Sequence, residues 1–165
     1  MAKITFQGKP AHTSGTLPAV GTQAPDFKLV CTDLTEATLA DYRGKKKILN
    51  VFPSVDTGTC AASVRLFNQH AAKVPDIVVL NISKDLPFAQ KRFCGAEGID
   101  NVEVLSAFRS DFAQNYGVEI LDTVLAGLCA RAVIVLDGDD RVIYTEQVHE
   151  LVQEPNYEAA LRAAR

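Results

Sequence analysis

Apolar residues in this chain recur at every second position in some stretches and at every third or fourth in others, and the switches mark its elements. "KITFQG" alternates and runs into "KPAH", so Lys3–Thr13 reads as an N-terminal hairpin. Ser14–Asp26, with its prolines and glycines, reads as a surface connection. "FKLVCTD" is a short strand, and "LADYRG" a single helical turn ended by Gly44. "KKILNVF" (Lys46–Phe52) has few polar residues, as a central strand covered on both faces should. From Cys60 onward, Val64, Phe67, Ala71 and Val74 keep the spacing of a helix face.

"DIVVLNIS" (Asp76–Ser83) predicts a second buried strand. "DLPFAQKRFCG" predicts a helix with Asp85 as N-cap, Pro87 in its first turn and Gly95 as its stop. "NVEVLSAF" is a weaker strand, and "SDFAQNYG" a helix closing at Gly117. "RAVIVLD-GDD-RVIYTEQV" is a hairpin around Gly138–Asp140, and "NYEAALRAAR" an amphipathic closing helix. This order predicts an α/β fold with a mixed central sheet flanked by helices.

Composition narrows the picture. A chain of 165 residues suits one domain, 1–165, with 1–15 as the hairpin extension. The net charge of −3 argues against nucleic acid as a partner, and the short "GKKK" of Gly44–Lys47 reads as a solvated strand entry. No run approaches the ~18 uninterrupted apolar residues of a membrane span. The N-terminus shows no apolar region followed by a small-residue cleavage site, so no signal peptide is expected and a cytoplasmic location is.

The candidate chemistry lies in four cysteines, at 31, 60, 94 and 129. None forms a C-x-x-C pair and none has a histidine at ligand spacing, so no structural zinc site is expected. A reducing compartment leaves transient redox or catalytic roles for cysteines that form bonds.

Cys60 stands where a strand hands over to a helix. If Thr57 is the N-cap, Cys60 occupies the third helical position, where unpaired N–H groups and the helix dipole favour a thiolate. A small packed cysteine at the same junction is the other reading, and position alone does not separate them. Pro53 stiffens the approach and offers no donor, while Thr57 supplies a hydroxyl that can donate and accept. Arg65 is five residues beyond Cys60 and off its helix face. Arg131 opens a strand otherwise made of "AVIVL", where it is either a residue of the exposed sheet margin or a fixed cation near a thiolate.

Cys94 has the opposite placement, at a helix C-terminus, where the dipole disfavours a thiolate. Such a thiol is a poor first nucleophile but can attack an already oxidised sulfur. Cys31 and Cys129 show no activating feature and read as packing residues. His12, His70 and His149 have no cysteine or carboxylate at a telling spacing.

"FPSVDTGTC" carries Pro53-x-x-x-Thr57-x-x-Cys60, which resembles the active-site signature of the peroxiredoxins. "LNVFPSVDTGTCAASVR", "SKDLPFAQKRFCGAEG", "AGLCARAVIVLD" and "EPNYEAAL" are similar to stretches of the bacterial thiol peroxidases, the atypical two-cysteine peroxiredoxins. The likeness runs over essentially the whole chain. It implies a thioredoxin-like fold with an N-terminal β-hairpin, assembled as a homodimer. It also implies Cys60 as the peroxidatic cysteine and Cys94 as the resolving one, joined by an intramolecular disulfide during turnover. Pro53 would shield the thiolate, Thr57 would bind the peroxide, and Arg131 would be the active-site arginine. Hydroperoxides would be the substrates and thioredoxin the reductant, with no metal, haem or flavin.

Two departures stand out. "LDTVLAGL" lies where the family commonly has "ADGPLAGL", losing a Gly-Pro turn before Arg131. Many relatives carry a further cysteine where this chain has Leu80 and Asn81. Two rival functions remain open at this level: a thiol–disulfide oxidoreductase, against which the missing C-x-x-C speaks, and a non-catalytic redox sensor.

Overall fold

The computed structural model describes Met1–Arg165. Strands β1 (Lys3–Phe6) and β2 (Lys9–His12) form the N-terminal antiparallel hairpin. Short strands β3 (Leu29–Cys31) and β4 (Glu36–Ala37) follow, then a 3-10 turn at Leu39–Tyr42. The βαβ units come next: β5 (Lys46–Val51), α1 (Gly58–Ala71), β6 (Ile77–Ser83), α2 (Pro87–Glu97) and β7 (Glu103–Ser106). A one-turn helix α3 (Phe112–Asn115), the hairpin β8 (Ala132–Leu136) and β9 (Val142–Gln147), and α4 (Tyr157–Ala163) complete the chain.

The sheet order is β4-β3-β7-β6-β5-β8-β9, with β5, β6 and β7 parallel and the outer strands antiparallel. It is the expected mixed sheet. Leu49, Leu80, Leu105 and Ile134 meet Phe112 and Tyr116 on one face. Ile48, Val79, Val133 and Val135 meet Phe67 of α1 and Ala160 of α4 on the other. Burial on both faces explains why β5 and β6 read as continuous apolar runs.

Two register facts place the functional end. The parallel strands β5 and β6 both stop at one edge, where open α/β sheets collect their sites. Antiparallel β8 starts at that same edge, because Val51 pairs with Ala132. The turn that leads into α1 and the residue before β8 are therefore neighbours, though some 70 positions apart in sequence.

Several local expectations need correcting. Asp85 is not the cap of α2; the cap position is Leu86, and the Asp85 carboxylate turns toward the loop ahead of α1. The helix runs through Gly95 and stops at Gly98, whose φ of 66° supplies the left-handed cap. Gly95 has helical neighbours on both sides, so it lowers propensity without ending the helix. Cys94 consequently sits one turn inside the end of α2, its carbonyl accepting from Ile99 N. Lys47 is not solvated. It is fully buried, paired to Asp140 at 2.6 Å, and donates to the carbonyls of Lys45 and Asp137.

The loop before Arg131 makes its turn at a cost. Thr123 adopts φ 66°, a conformation costing a residue with a Cβ about 1–2 kcal/mol. Val124 is 89% exposed.

Candidate active site

The site begins with the first turn of α1. Thr57 is its N-cap in extended conformation, and its Oγ1 accepts from Cys60 N at 3.4 Å while donating to Ser54 O at 3.2 Å. Cys60 is the third helical residue, as the spacing predicts, and none of its surface is exposed. Its sulfur lies in a small apolar cluster with Phe52, Val55, Val64 and Phe93, against which Cys94 also packs.

Into this apolar wall comes one charge. Arg131, 2% exposed, donates from Nη2 to Cys60 Sγ at 3.2 Å. The guanidinium is aimed by a single backbone group: Nε and Nη2 both donate to Leu151 O, at 3.0 and 2.9 Å. Nη1 has no partner in the chain, and no carboxylate pairs with the cation. A buried cation without a counter-charge is costly, and Cys60 Sγ is the side-chain atom it meets.

Arg131, Thr57 and Pro53 line a pocket of about 290 Å³, together with Phe6, Leu125, Leu128 and Leu151. Ser54, Gly58, Thr59 and Val152 complete the lining, so polar groups from the first turn of α1 and Arg131 face an apolar wall. Sequence reasoning had Pro53, Thr57 and Arg131, and the structure brings all three together beside Cys60. It missed the wall: Phe6 comes from the hairpin and Leu151 acts through its carbonyl, so no side-chain pattern announces either.

The loop and helix are also held from below and from the side. Ser63 Oγ donates to Cys60 O at 2.7 Å, and Asn50 Nδ2 donates to Ser63 Oγ and to Asn81 Oδ1. Asn81 serves this buried polar chain and donates to Glu103 O at 3.2 Å. Asp85 accepts from Ser54 Oγ at 2.7 Å, Val55 N at 2.9 Å and Ser83 Oγ at 2.6 Å, fixing the approach to α1. Arg65 forms an ion pair with Glu97 of α2 at 3.3 Å and takes no part in the pocket.

Cys94 differs in kind. Burial is the main cause, and Glu103 the second, of a thiol pKa raised above its ordinary value. Burial likewise pushes the Cys129 thiol up to about 12 and raises that of Cys31. All four cysteines are unbonded. No cluster of histidine, cysteine and carboxylate side chains could hold a metal ion, and no helix is long and apolar enough to cross a membrane.

Comparison with known proteins agrees with this geometry. The redoxin family model matches residues 19–161. A curated thiol peroxidase of Mycobacterium bovis is 56% identical over 163 residues, covering 99% of this chain and 98% of its own length. The crystal structure of a peroxiredoxin-like protein from Aquifex aeolicus superposes with a TM-score of 0.93 at 35% identity, covering 99% and 96% of the two chains. A thiol peroxidase from Chromobacterium violaceum shares the fold, with a TM-score of 0.90 at 24% identity over 97% and 93%. With a cysteine at a helix start, an unpaired buried arginine against its sulfur and relatives matched end to end, the chain belongs to the thiol peroxidases, a family of peroxiredoxins.

Proposed function

We propose that Cys60 is the peroxidatic centre of this thiol-dependent peroxidase and that Cys94 of the same chain resolves it. The observation that carries the reading is the contact from Arg131 Nη2 to Cys60 Sγ at 3.2 Å. The Cys60 thiolate attacks one oxygen of a hydroperoxide, the O–O bond breaks, and the sulfur becomes a sulfenic acid. The departing alkoxide or hydroxide takes up a proton and leaves as alcohol or water. Thr57 Oγ1 and the guanidinium face the pocket where that negative charge develops, the arrangement that lowers such a barrier. Pro53 closes one side without adding a donor.

Cys94 then attacks the sulfenic sulfur, forming a Cys60–Cys94 disulfide and releasing water. A disulfide needs Cα atoms about 4.4–6.8 Å apart. Cys60 is locked in the first turn of one helix and Cys94 in the last turn of another, so both segments unwind locally before the bond closes. Their shared apolar cluster keeps the two sulfurs in the same part of the molecule. A dithiol protein, thioredoxin, resets the disulfide by exchange. The apolar wall of Phe6, Leu125, Leu128 and Leu151 accommodates organic hydroperoxides as well as hydrogen peroxide. Exposed Leu86, Phe88, Leu121 and Val124 offer apolar surface for a homodimer, and the enzyme works in the cytoplasm.

Turnover tests the reading against one-shot sensing, which the family relationship does not favour. With thioredoxin, its reductase and NADPH, the wild type is expected to consume many equivalents of cumene hydroperoxide per chain. Cys60→Ser is expected to consume none. Full activity in Cys60→Ser contradicts the assignment.

A further inference from the structure

Three consecutive residues after β9 reach three different parts of the site. Glu150, which pairs with Thr5 in a parallel bridge, spreads its carboxylate over the hairpin turn. It accepts from Thr5 Oγ1 at 3.1 Å, Gln7 N at 3.3 Å, Gly8 N at 2.7 Å and, on its own side, Val152 N at 3.0 Å. Leu151 donates its N–H to Thr5 O at 2.9 Å and offers its carbonyl to Arg131. Val152 O accepts from Thr59 Oγ1, in the first turn of α1, at 3.1 Å.

The turn that Glu150 grips is a two-residue hairpin turn with one unfavourable residue. Gln7 and Gly8 both have positive φ, 52° and 79°, and a residue with a Cβ such as Gln7 is strained there. The carboxylate satisfies both of their amides at once. Gln7, Gly8, Leu151, Arg131 and Cys60 are therefore joined by an unbroken run of contacts, and a branch runs through Val152 to α1.

We infer that Glu150 is a positioning residue: it fixes the Leu151 carbonyl that aims Arg131 at Cys60, and through Val152 it latches the first turn of α1. The two roles pull in opposite directions over the catalytic cycle. A held strap keeps Arg131 on the sulfur for the attack on peroxide. The same strap resists the unwinding of α1 that the disulfide requires. Both roles rest on Cys60 as the reacting sulfur proposed above, and only the second rests also on Cys94 as its partner.

Removing the carboxylate should therefore split the two half-reactions. In Glu150→Gln, which keeps one acceptor oxygen of two, mass-resolved alkylation of Cys60 by iodoacetamide is expected to shift to higher pH. Its rate of oxidation by peroxide should fall about tenfold, less than the roughly 10²-fold that a 1 Å misplacement can cost, since Glu150 acts at one remove. Conversion of the sulfenic acid to disulfide, followed by acid quench and mass mapping, should speed up about fivefold, the equivalent of one lost hydrogen bond.

Thr59→Val cuts only the branch to α1 and is expected to give the faster disulfide step by itself. If Glu150→Gln does not fold, Thr59→Val decides the latch: a disulfide step no faster than wild type overturns it. For a folded Glu150→Gln, an unmoved alkylation profile overturns the aiming role. Parallel slowing of both half-reactions with a lower Tm makes the strap a purely structural clasp and overturns the inference. If the wild type forms no Cys60–Cys94 bond, the assignment above fails, and the alkylation profile alone still tests the aiming role.

Discussion

Two cations are buried in this protein, at opposite ends of the same sheet, and the chain treats them differently. Lys47, the second residue of β5, meets the Asp140 carboxylate at 2.6 Å, with two carbonyls taking its remaining protons. Arg131 precedes β8 and has no carboxylate: one carbonyl accepts two of its N–H groups, a sulfur takes another, and Nη1 is left over. The first arrangement is closed and holds the β8–β9 turn to the sheet. The second is open: no carboxylate faces it, Cys60 Sγ lies at 3.2 Å, and on the proposal above the thiolate or the oxygen leaving a peroxide supplies the missing negative charge. Burial alone does not separate a structural cation from a functional one; the state of its counter-charge does.

Breaking each cation should separate stability from rate. Lys47→Met leaves the Asp140 carboxylate buried and unpaired, and should cost about 3–5 kcal/mol of unfolding free energy in urea titrations. The fraction that stays folded should turn over peroxide at the wild-type rate. Adding Asp140→Asn should recover part of the loss, since asparagine tolerates the φ of 64° at that position and carries no charge. Arg131→Met should show the reverse pattern. Its peroxide reaction, followed by stopped flow, should slow about 10²–10³-fold, as when a transition-state donor is removed. Its Tm should move less than that of Lys47→Met.

Backbone strain sharpens the same contrast. Thr123, in the loop that carries Leu125 and Leu128 to the pocket, and Asp140, beside Lys47, share a left-handed φ near 65°. Aspartate adopts that conformation readily and a β-branched residue does not. Thr123→Gly should relieve that strain but give up the Leu125 N–H bond to Thr123 Oγ1 at 3.1 Å and add unfolded-chain entropy, leaving stability within about 1 kcal/mol of wild type. Asp140→Gly should gain nothing from strain and should lose about 3–5 kcal/mol, because it leaves buried Lys47 without its carboxylate.

A pH titration gives a smaller effect of known sign. Cys129, two residues before Arg131, is held as a thiol up to about 12 by burial. Its folded pKa is above its unfolded value, so its contribution is complete below about pH 9 and is lost as pH rises through the folded value. By pH 10 the unfolded chain has released a proton that the fold retains, a loss of about 1 kcal/mol. Cys129→Ala should flatten that alkaline decline. Cys31 and Cys94, both raised by burial, act in the same direction.

How far the sequence could be read follows from which contacts use patterned side chains. The sheet, the hairpins and α1 were legible because alternating and helical spacing both report burial of one face. Cys60, Thr57 and Pro53 were legible because they lie within one short segment, and cap geometry ties Thr57 to the third helical residue. Arg131 stood out as a charge before an apolar strand, but its direction comes from the register of β5 with β8.

Lys47 sat beside two other lysines and read as solvated, because its partner Asp140 lies in a turn far along the chain. Asp85 looked like a cap for the helix that follows it, yet its acceptors are used 30 residues upstream, by Ser54 and Val55. Leu151 left no trace at all. Its contribution is a backbone carbonyl, which every residue possesses.

The central claim is that the open cation marks the reacting sulfur, and peroxide itself tests this most directly. The reduced protein is treated with one equivalent of hydrogen peroxide, quenched in acid, alkylated and mapped by mass spectrometry. The wild type is expected to yield a Cys60–Cys94 disulfide, and Cys94→Ser a Cys60 oxidised to the sulfenic and then the sulfinic state, with Cys31 and Cys129 alkylated in both. Oxidation appearing first on Cys31, Cys94 or Cys129, with Cys60 still a free thiol, contradicts the account.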